Sequence, residues 1–286
     1  MKLGINFSAF NCFKPQNTYE YLDYAKKYQF DCVDFALDSY YHIFDWRKFD
    51  DEEIIKHFTE VKAYADKIGI KFSQTHAPFA GFPGYLNEEF FDWTRKSLLI
   101  TSLLGAPYCV IHPLVFPIYN KRPLDEDEKK YNIEFYTRLI PYIKQYNVKV
   151  ALENLYDWKE GSIRFIYISH PTGLKEYVDA LPEEYFVYCL DTGHLHMAGH
   201  KQSEAIKLWG NRLKVLHMHD SFGILDDHFL PFFGSIDWQD FASALKEISF
   251  DGVLSLEIKP FAYLGYAESG FHFVRELLDR IRNMAK

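Results

Sequence analysis

Val215 to His228 reads VLHMHDSFGILDDH. This describes a short apolar strand that runs directly into an acidic, histidine-rich loop. Side chains alternate along a strand, so His217 and His219, on either side of Met218, share one face. The loop then spaces Asp226 and His228 two residues apart. Imidazole and carboxylate this close together suit a divalent transition metal. Taken alone, an ordinary polar loop accounts for the stretch equally well. The ends of five other apolar runs decide between the two readings.

Working outward, Lys149–Glu153 and Phe186–Asp191 are apolar runs that stop on an acid, as does Val253–Glu257 downstream. Lys71–His76 and Tyr108–His112 stop on histidine, and Leu3–Phe7 and Cys32–Leu37 open the chain. With Leu213–His219 these make eight expected strands, short and apolar as when both faces are buried. Helical patterns alternate with them: Thr18–Lys27 behind the cap Asn17, Asp51–Ile68 closed by Gly69, and Asn87–Leu104 closed by Gly105. The remainder are Asp125–Tyr146, Leu174–Ala180, Ser203–Trp209, Trp238–Ile248 and Tyr266–Met284. Pro141 is expected to kink or break the helix it falls in. The alternation predicts an α/β fold, a single (β/α)8 TIM barrel occupying residues 1–286 as one domain. A doubly wound open sheet fits less well, because GINFSAFN after the first strand lacks a G-x-G-x-x-G turn.

Bulk composition narrows the function. Hydrophobic residues make up 48% of the 286, enough for a large core, and the net charge of −8 disfavours broad electrostatic capture of nucleic acid. Cys12, Cys32, Cys109 and Cys189 have no C-x-x-C spacing and read as reduced thiols. MKLGINFSAF is too polar for a signal peptide and no run is long enough to span a membrane, so a cytoplasmic location is expected.

In this kind of barrel, chemistry gathers where strands end. His76, His112, Glu153, Asp191 and Glu257 end their strands and His217 lies near the end of another, six consecutive strands in all, and His194, Asp226 and His228 follow in the loops. A lone strand-end histidine is usually a hydrogen-bonded core residue, and a lone glutamate usually faces water. Glu153 and Glu257, however, follow the apolar runs VALE and LSLE. Burying a carboxylate is costly without a cation or good donors, so Glu153, Asp191, His217 and Glu257 read as a metal set. For His76, His112, His194, Asp226 and His228, a second metal, substrate contact and plain hydrogen bonding stay open. His42, His57, His170, His196, His200, His219 and His272 are expected to be ordinary.

These residues resemble the xylose isomerase-like TIM-barrel superfamily along nearly the whole chain. The matching pieces, in order, are LENL at Leu152, LDTGH at Leu190, HMHD at His217, DDH at Asp226, GSIDW at Gly234 and LSLE at Leu254. The resemblance implies a divalent metal on Glu153, Asp191, His217 and Glu257, with zinc or manganese foremost and cobalt or iron compatible. It also implies proton transfer by Glu153 and Glu257, and substrate contact by His194. In the apurinic endonuclease branch, further ligands match His76, His112, His194, Asp226 and His228. Two features depart from the pattern: FLPFFGSIDW carries only Gly234 where relatives often have two glycines, and the arginine some ketose epimerases place after the strand-seven histidine is missing.

The expectation is therefore a metal-dependent sugar or sugar-phosphate isomerase or epimerase, moving a proton next to a carbonyl of a small carbohydrate substrate. Its rivals are an apurinic endonuclease-like phosphodiesterase and a barrel that binds without turnover. The first rival needs a basic rim, for which Lys121, Arg122 and Arg164 are few candidates. Phe7, Phe79, Trp158 and Phe232 are candidates to wall off water, with core packing as the plainer role. No membrane partner is expected, and homo-oligomerisation is left open.

Overall fold

The computed structural model describes residues 1–79, 87–115, 125–159, 162–259 and 267–286. Eight parallel strands form the barrel: β1 (Lys2–Asn6), β2 (Cys32–Ala36), β3 (Lys71–His76), β4 (Tyr108–Ile111), β5 (Lys149–Glu153), β8 (Phe186–Asp191), β9 (Leu213–His217) and β10 (Val253–Leu256). From β1 to β9 each pairs with the next in that order, and β10 pairs with β1. The last gap closes at Met218, whose N–H donates to Ser255 O at 2.8 Å while Glu257 N–H donates to Met218 O at 3.0 Å. Two short strands, β6 (Asp157–Lys159) and β7 (Ser162–Arg164), make a hairpin outside the ring.

Alternation along the strands sorts the side chains. Val110, Ala151, Val187, Cys189 and Val215 point inward and pack into a small plug on the barrel axis. His112, Glu153, Asp191 and His217 lie two residues further on, in phase with the plug, so the pleat delivers them to the mouth above it. The other strand faces meet the helices in the main core, which includes Leu3, Val33, Leu152 and Leu254. All four cysteines are free, and among the described residues no helix is long and apolar enough to cross a membrane.

Several expected boundaries shift. Strands anticipated to reach Phe7, Leu37, His112, His219 and Glu257 end one or two residues earlier, because the loops there have already begun. Asn6, for instance, caps a 3-10 helix over Phe7–Phe13 by accepting from Ser8 N at 2.9 Å. The helix Asp125–Tyr146 runs through Pro141 without a break. Proline removes one N–H there, while buried Leu139 and Ile143 hold the helix to the core on either side. Lys121 and Arg122 lie outside the described residues, as does Tyr266 at the expected start of the last helix.

The long segment after β9 is organised by Asp220. Its buried carboxylate accepts from Ser221 N, Phe232 N, Ile236 N and Trp238 Nε1, all between 2.8 and 3.1 Å. Phe232 sits at φ 72°, the left-handed region that favours glycine. The Asp220 bond and the Arg280 guanidinium, 4.4 Å from its ring, hold it there. Gly234 is required by space: a Cβ would lie 2.4 Å from both Asp220 Oδ1 and Ser221 O. Gly234→Ala is therefore expected to destabilise the protein by about 1–3 kcal/mol, the usual cost of overpacking, read as a lowered urea midpoint at constant slope.

Candidate metal centre

Glu153 and Asp191 end adjacent strands, and a side chain fastens those ends together. Asn154 Nδ2 donates to Asp191 O at 3.0 Å and Asp191 N donates to Asn154 Oδ1 at 2.9 Å. Asp191 also caps the short helix Thr192–Met197, its Oδ1 accepting from His194 N at 2.7 Å. That cap turns the chain at once and brings His194 back over the mouth.

Glu153 is the hub. Its side chain is 2% exposed, and Oε2 lies 3.0 Å from His217 Nδ1, 3.4 Å from His112 Nε2 and 3.6 Å from His76 Nε2. Its Oε1 is 3.3 Å from His194 Nδ1. Glu257 Oε2 approaches the same His217 Nδ1 at 3.2 Å from the end of the neighbouring strand β10, so one ring nitrogen stands between two glutamates. On its far side, His217 Nε2 is 3.2 Å from Asp34 Oδ2, and Asp34 is itself buried and held by Gln74. A carboxylate behind a histidine fixes the ring and presents its other nitrogen as a ligand.

A second group lies toward the outer rim. His228 Nε2 meets Asp226 Oδ2 at 2.9 Å, and Asp226 Oδ1 is 3.7 Å from His194 Nε2. Tyr156 OH donates to Asp226 Oδ2 at 3.2 Å. His219, fully buried, sets Nε2 at 3.0 Å from both oxygens of Asp191. His228 adopts φ 52°, an unusual backbone for a histidine and one that marks a constrained position.

The ring tautomers suit a cation. His76, His194 and His228 each direct Nδ1 at a backbone carbonyl, of Ala77, Asn154 and Glu257, at 2.8–2.9 Å. A carbonyl only accepts, so Nδ1 carries the proton and Nε2 faces the centre. Three donor atoms there, Glu153 Oε2, Asp226 Oδ1 and His217 Nδ1, are buried without a hydrogen-bond partner. Ligand triplets close enough to share an ion include His76–His112–Glu153, Asp191–His217–Glu257 and His219–Asp226–His228. Mixed nitrogen and oxygen donors of this kind fit a divalent transition metal.

Without such an ion, protons must balance the charge. Burial opposes ionisation of His194, His76, Glu153 and His112. For His194 the carboxylates of Asp191, Glu153 and Asp226 outweigh it and lift the ring to about 10; Glu153 and Asp38 lift His76 to about 9. Burial likewise works against ionised Glu153, yet His217, His112 and His194 hold it well below the usual carboxylate range. His112 is lowered, because burial prevails there.

All nine candidate residues thus meet at one mouth. Sequence reasoning passed over Asp34, Asn154, Tyr156 and His219. His219 had a signal, its alternation with His217. Asn154 stood inside LENL without an assigned role, and nothing in the sequence distinguishes Asp34. Of the candidate screening aromatics, Phe7 is core, whereas Phe79 is 57% exposed and stacks on His112 with ring centres 4.8 Å apart.

A profile of the xylose isomerase-like TIM barrel matches residues 22–277. The chain belongs to the xylose isomerase-like TIM-barrel family. Within it, the inosose isomerase of Bacillus velezensis is 28% identical over 201 residues, covering 65% of this chain and 66%, just under two thirds, of that enzyme. The D-psicose 3-epimerase of Enterocloster bolteae is 22% identical over 276 residues, 93% of this chain and 84% of its own length. The crystal structure of IolI with a bound zinc atom shares the fold, with a TM-score of 0.75, 22% identity and 98% of each chain covered.

These charges predict a pH dependence for metal-stripped protein. Histidines raised in the folded state stabilise it fully below their unfolded value near 6.5, and that contribution is lost as pH climbs through about 9–10. Stripped protein should therefore lose denaturation free energy between pH 7 and 10, and metal-loaded protein should lose less. Chemical denaturation at pH 6.5 and 9.5, with and without metal, measures the difference.

Proposed function

We propose that the protein is a divalent-metal-dependent isomerase or epimerase acting on a small carbohydrate, a sugar or sugar phosphate. The observation that carries this reading is the pair Glu153 and Glu257, which flank His217 Nδ1 at 3.0 and 3.2 Å in a mouth rich in imidazole and carboxylate. The isomerase and epimerase relatives and the zinc of IolI support it. Glu153, Asp191, His217 and Glu257 would hold the cation, zinc or manganese foremost. When bound, the cation polarises a substrate carbonyl and stabilises the charge that develops on its oxygen.

The chain's own residues then handle the proton. Glu257, with its side chain 23% exposed, faces the opening and takes the proton next to the carbonyl. Glu153, at the end of β5, is the partner that returns one. Asp34 keeps His217 oriented, and Asn154 keeps Glu153 and Asp191 in step. Phe79 and Tyr156 border the mouth beside His112 and His194 and limit the access of water.

One observation favours a second reading, metal-dependent phosphodiester cleavage of the apurinic endonuclease kind: the donors reach beyond a single ion to His76, His112, Asp226 and His228. Against it, the net charge is −8 and the loop beside Asp226 exposes Phe222, Ile224 and Leu225, with Lys259 donating to the Asp226 carbonyl.

A panel of ketoses and keto-polyols incubated with metal-loaded enzyme in D2O tests the main reading. Deuterium is expected at the carbon next to the carbonyl of a turned-over substrate; incision of an abasic duplex with every ketose inert would reverse the ranking. Glu153→Gln and Glu257→Gln should each lower kcat by roughly 10²–10⁴-fold, the range for a general acid or base. Chelation should abolish turnover, and added manganese, cobalt or zinc should restore it.

A further inference from the structure

The motifs LDTGH and HMHD meet in the fold at Thr192, Gly193 and His219, residues to which the proposed reaction gives no task. β9 ends at His217, so the backbone of His219 lies past the strand. The buried Thr192 hydroxyl takes over there, accepting from His219 N–H at 3.0 Å and donating to His219 O at 2.6 Å. One side chain thus satisfies both backbone groups of His219 and fixes where its ring starts.

The ring itself lies between two surfaces. On one side it stacks on His228, with centres 4.0 Å apart and planes 11° from parallel. On the other it rests on Gly193, where a Cβ would lie 1.9 Å from the ring Cε1, so any side chain at 193 would expel it. Nδ1 is buried without a partner, whereas Nε2 is 3.0 Å from both oxygens of Asp191. Asp226 Oδ1, at 3.7 Å, is too far to accept. The ring proton therefore belongs on Nε2, shared between the two oxygens of Asp191. Asp191 Oδ1 also accepts from His194 N–H at 2.7 Å. A carboxylate oxygen has two lone pairs, so Oδ1 is filled and Oδ2 keeps room for a cation.

We propose that His219 is a positioning residue: seated by Thr192, Gly193 and His228, it donates from Nε2 to Asp191 and holds that carboxylate in the orientation a metal ligand needs. The inference rests on reading Asp191 as a ligand of a divalent cation. It gives Thr192 and Gly193 a joint purpose, one fastening the backbone of His219 and the other clearing space for its ring.

Zinc affinity of metal-stripped, full-length protein, measured by competition with a chromophoric chelator, tests this without turnover. His219→Met keeps the bulk and loses the donor, and should bind the ion at Asp191 roughly 10–100-fold more weakly, the usual cost of removing a ligand's hydrogen-bond partner. His219→Gln restores an N–H donor at similar size and should recover most of that loss. Gly193→Ala should weaken binding by the same factor as His219→Met, and the two substitutions combined should cost no more than either alone, because both break one contact. Equal affinities in His219→Met and His219→Gln would reduce the ring to packing and overturn the proposal, as would additive losses in the combined variant. Nuclear magnetic resonance of zinc-loaded wild type with isotope-labelled histidine decides the matter even where the variants do not fold. The His219 ring, assigned by its contact with Gly193, should carry its proton on Nε2; a proton on Nδ1 instead, or zinc on either nitrogen, overturns the proposal. No zinc uptake by wild type removes the metal reading and this inference with it, whereas inert ketoses bear only on the reaction.

Discussion

A glutamate with almost no solvent contact sits among four imidazoles, and the upper half of this barrel is arranged around keeping it ionised. Burying a lone carboxylate costs several kcal/mol even after the protein relaxes. Glu153 meets that cost with His76, His112, His194 and His217, which come from four different βα units. Each of those rings is braced from behind or beside by Ala77 O, Asn154 O, Asp34 or a neighbouring ring. A proton shared among the rings and a divalent cation are two ways of answering the same negative charge. The second leaves the nitrogens in the tautomers their backbone partners already impose.

The geometry follows from small residues deeper in the ring. Because Val110, Ala151, Val187, Cys189 and Val215 fill the axis, the next inward positions have nowhere to go but the mouth. That is why the strand ends were readable in advance: pleat alternation and apolar runs stopping on His, Asp or Glu are local patterns. The supporting cast was not readable for the opposite reason. Asp34 gains its meaning only when β2 comes to lie across from β9, and Asn154 only when β5 and β8 pair. His219 had a visible cue in its phase with His217, but a single histidine at that spacing is more often structural. Pro141 does not break its helix, because buried Leu139 and Ile143 hold the turns on either side to the core.

Membership of the family accounts for the scaffold, while individual positions tailor it. The segment after β9 reaches its shape with Phe232 in a left-handed conformation, stabilised by Asp220 and Arg280, and with Gly234 kept for clearance. Exposed Phe222, Ile224 and Leu225 on the same segment give this side of the mouth an apolar lip. Whatever enters meets a rim that is partly greasy and a floor that is intensely polar.

The bond pattern that shuts the ring has a mechanical meaning. Met218, whose N–H and C=O stitch β9 to Ser255 and Glu257, is flanked by His217 and His219. The seam of the cylinder is therefore sewn at the same residues that grip the charge, with Glu257 on the other side of the stitch. Tension on one is felt by the other: anything that draws His217 and Glu257 together also tightens the hoop.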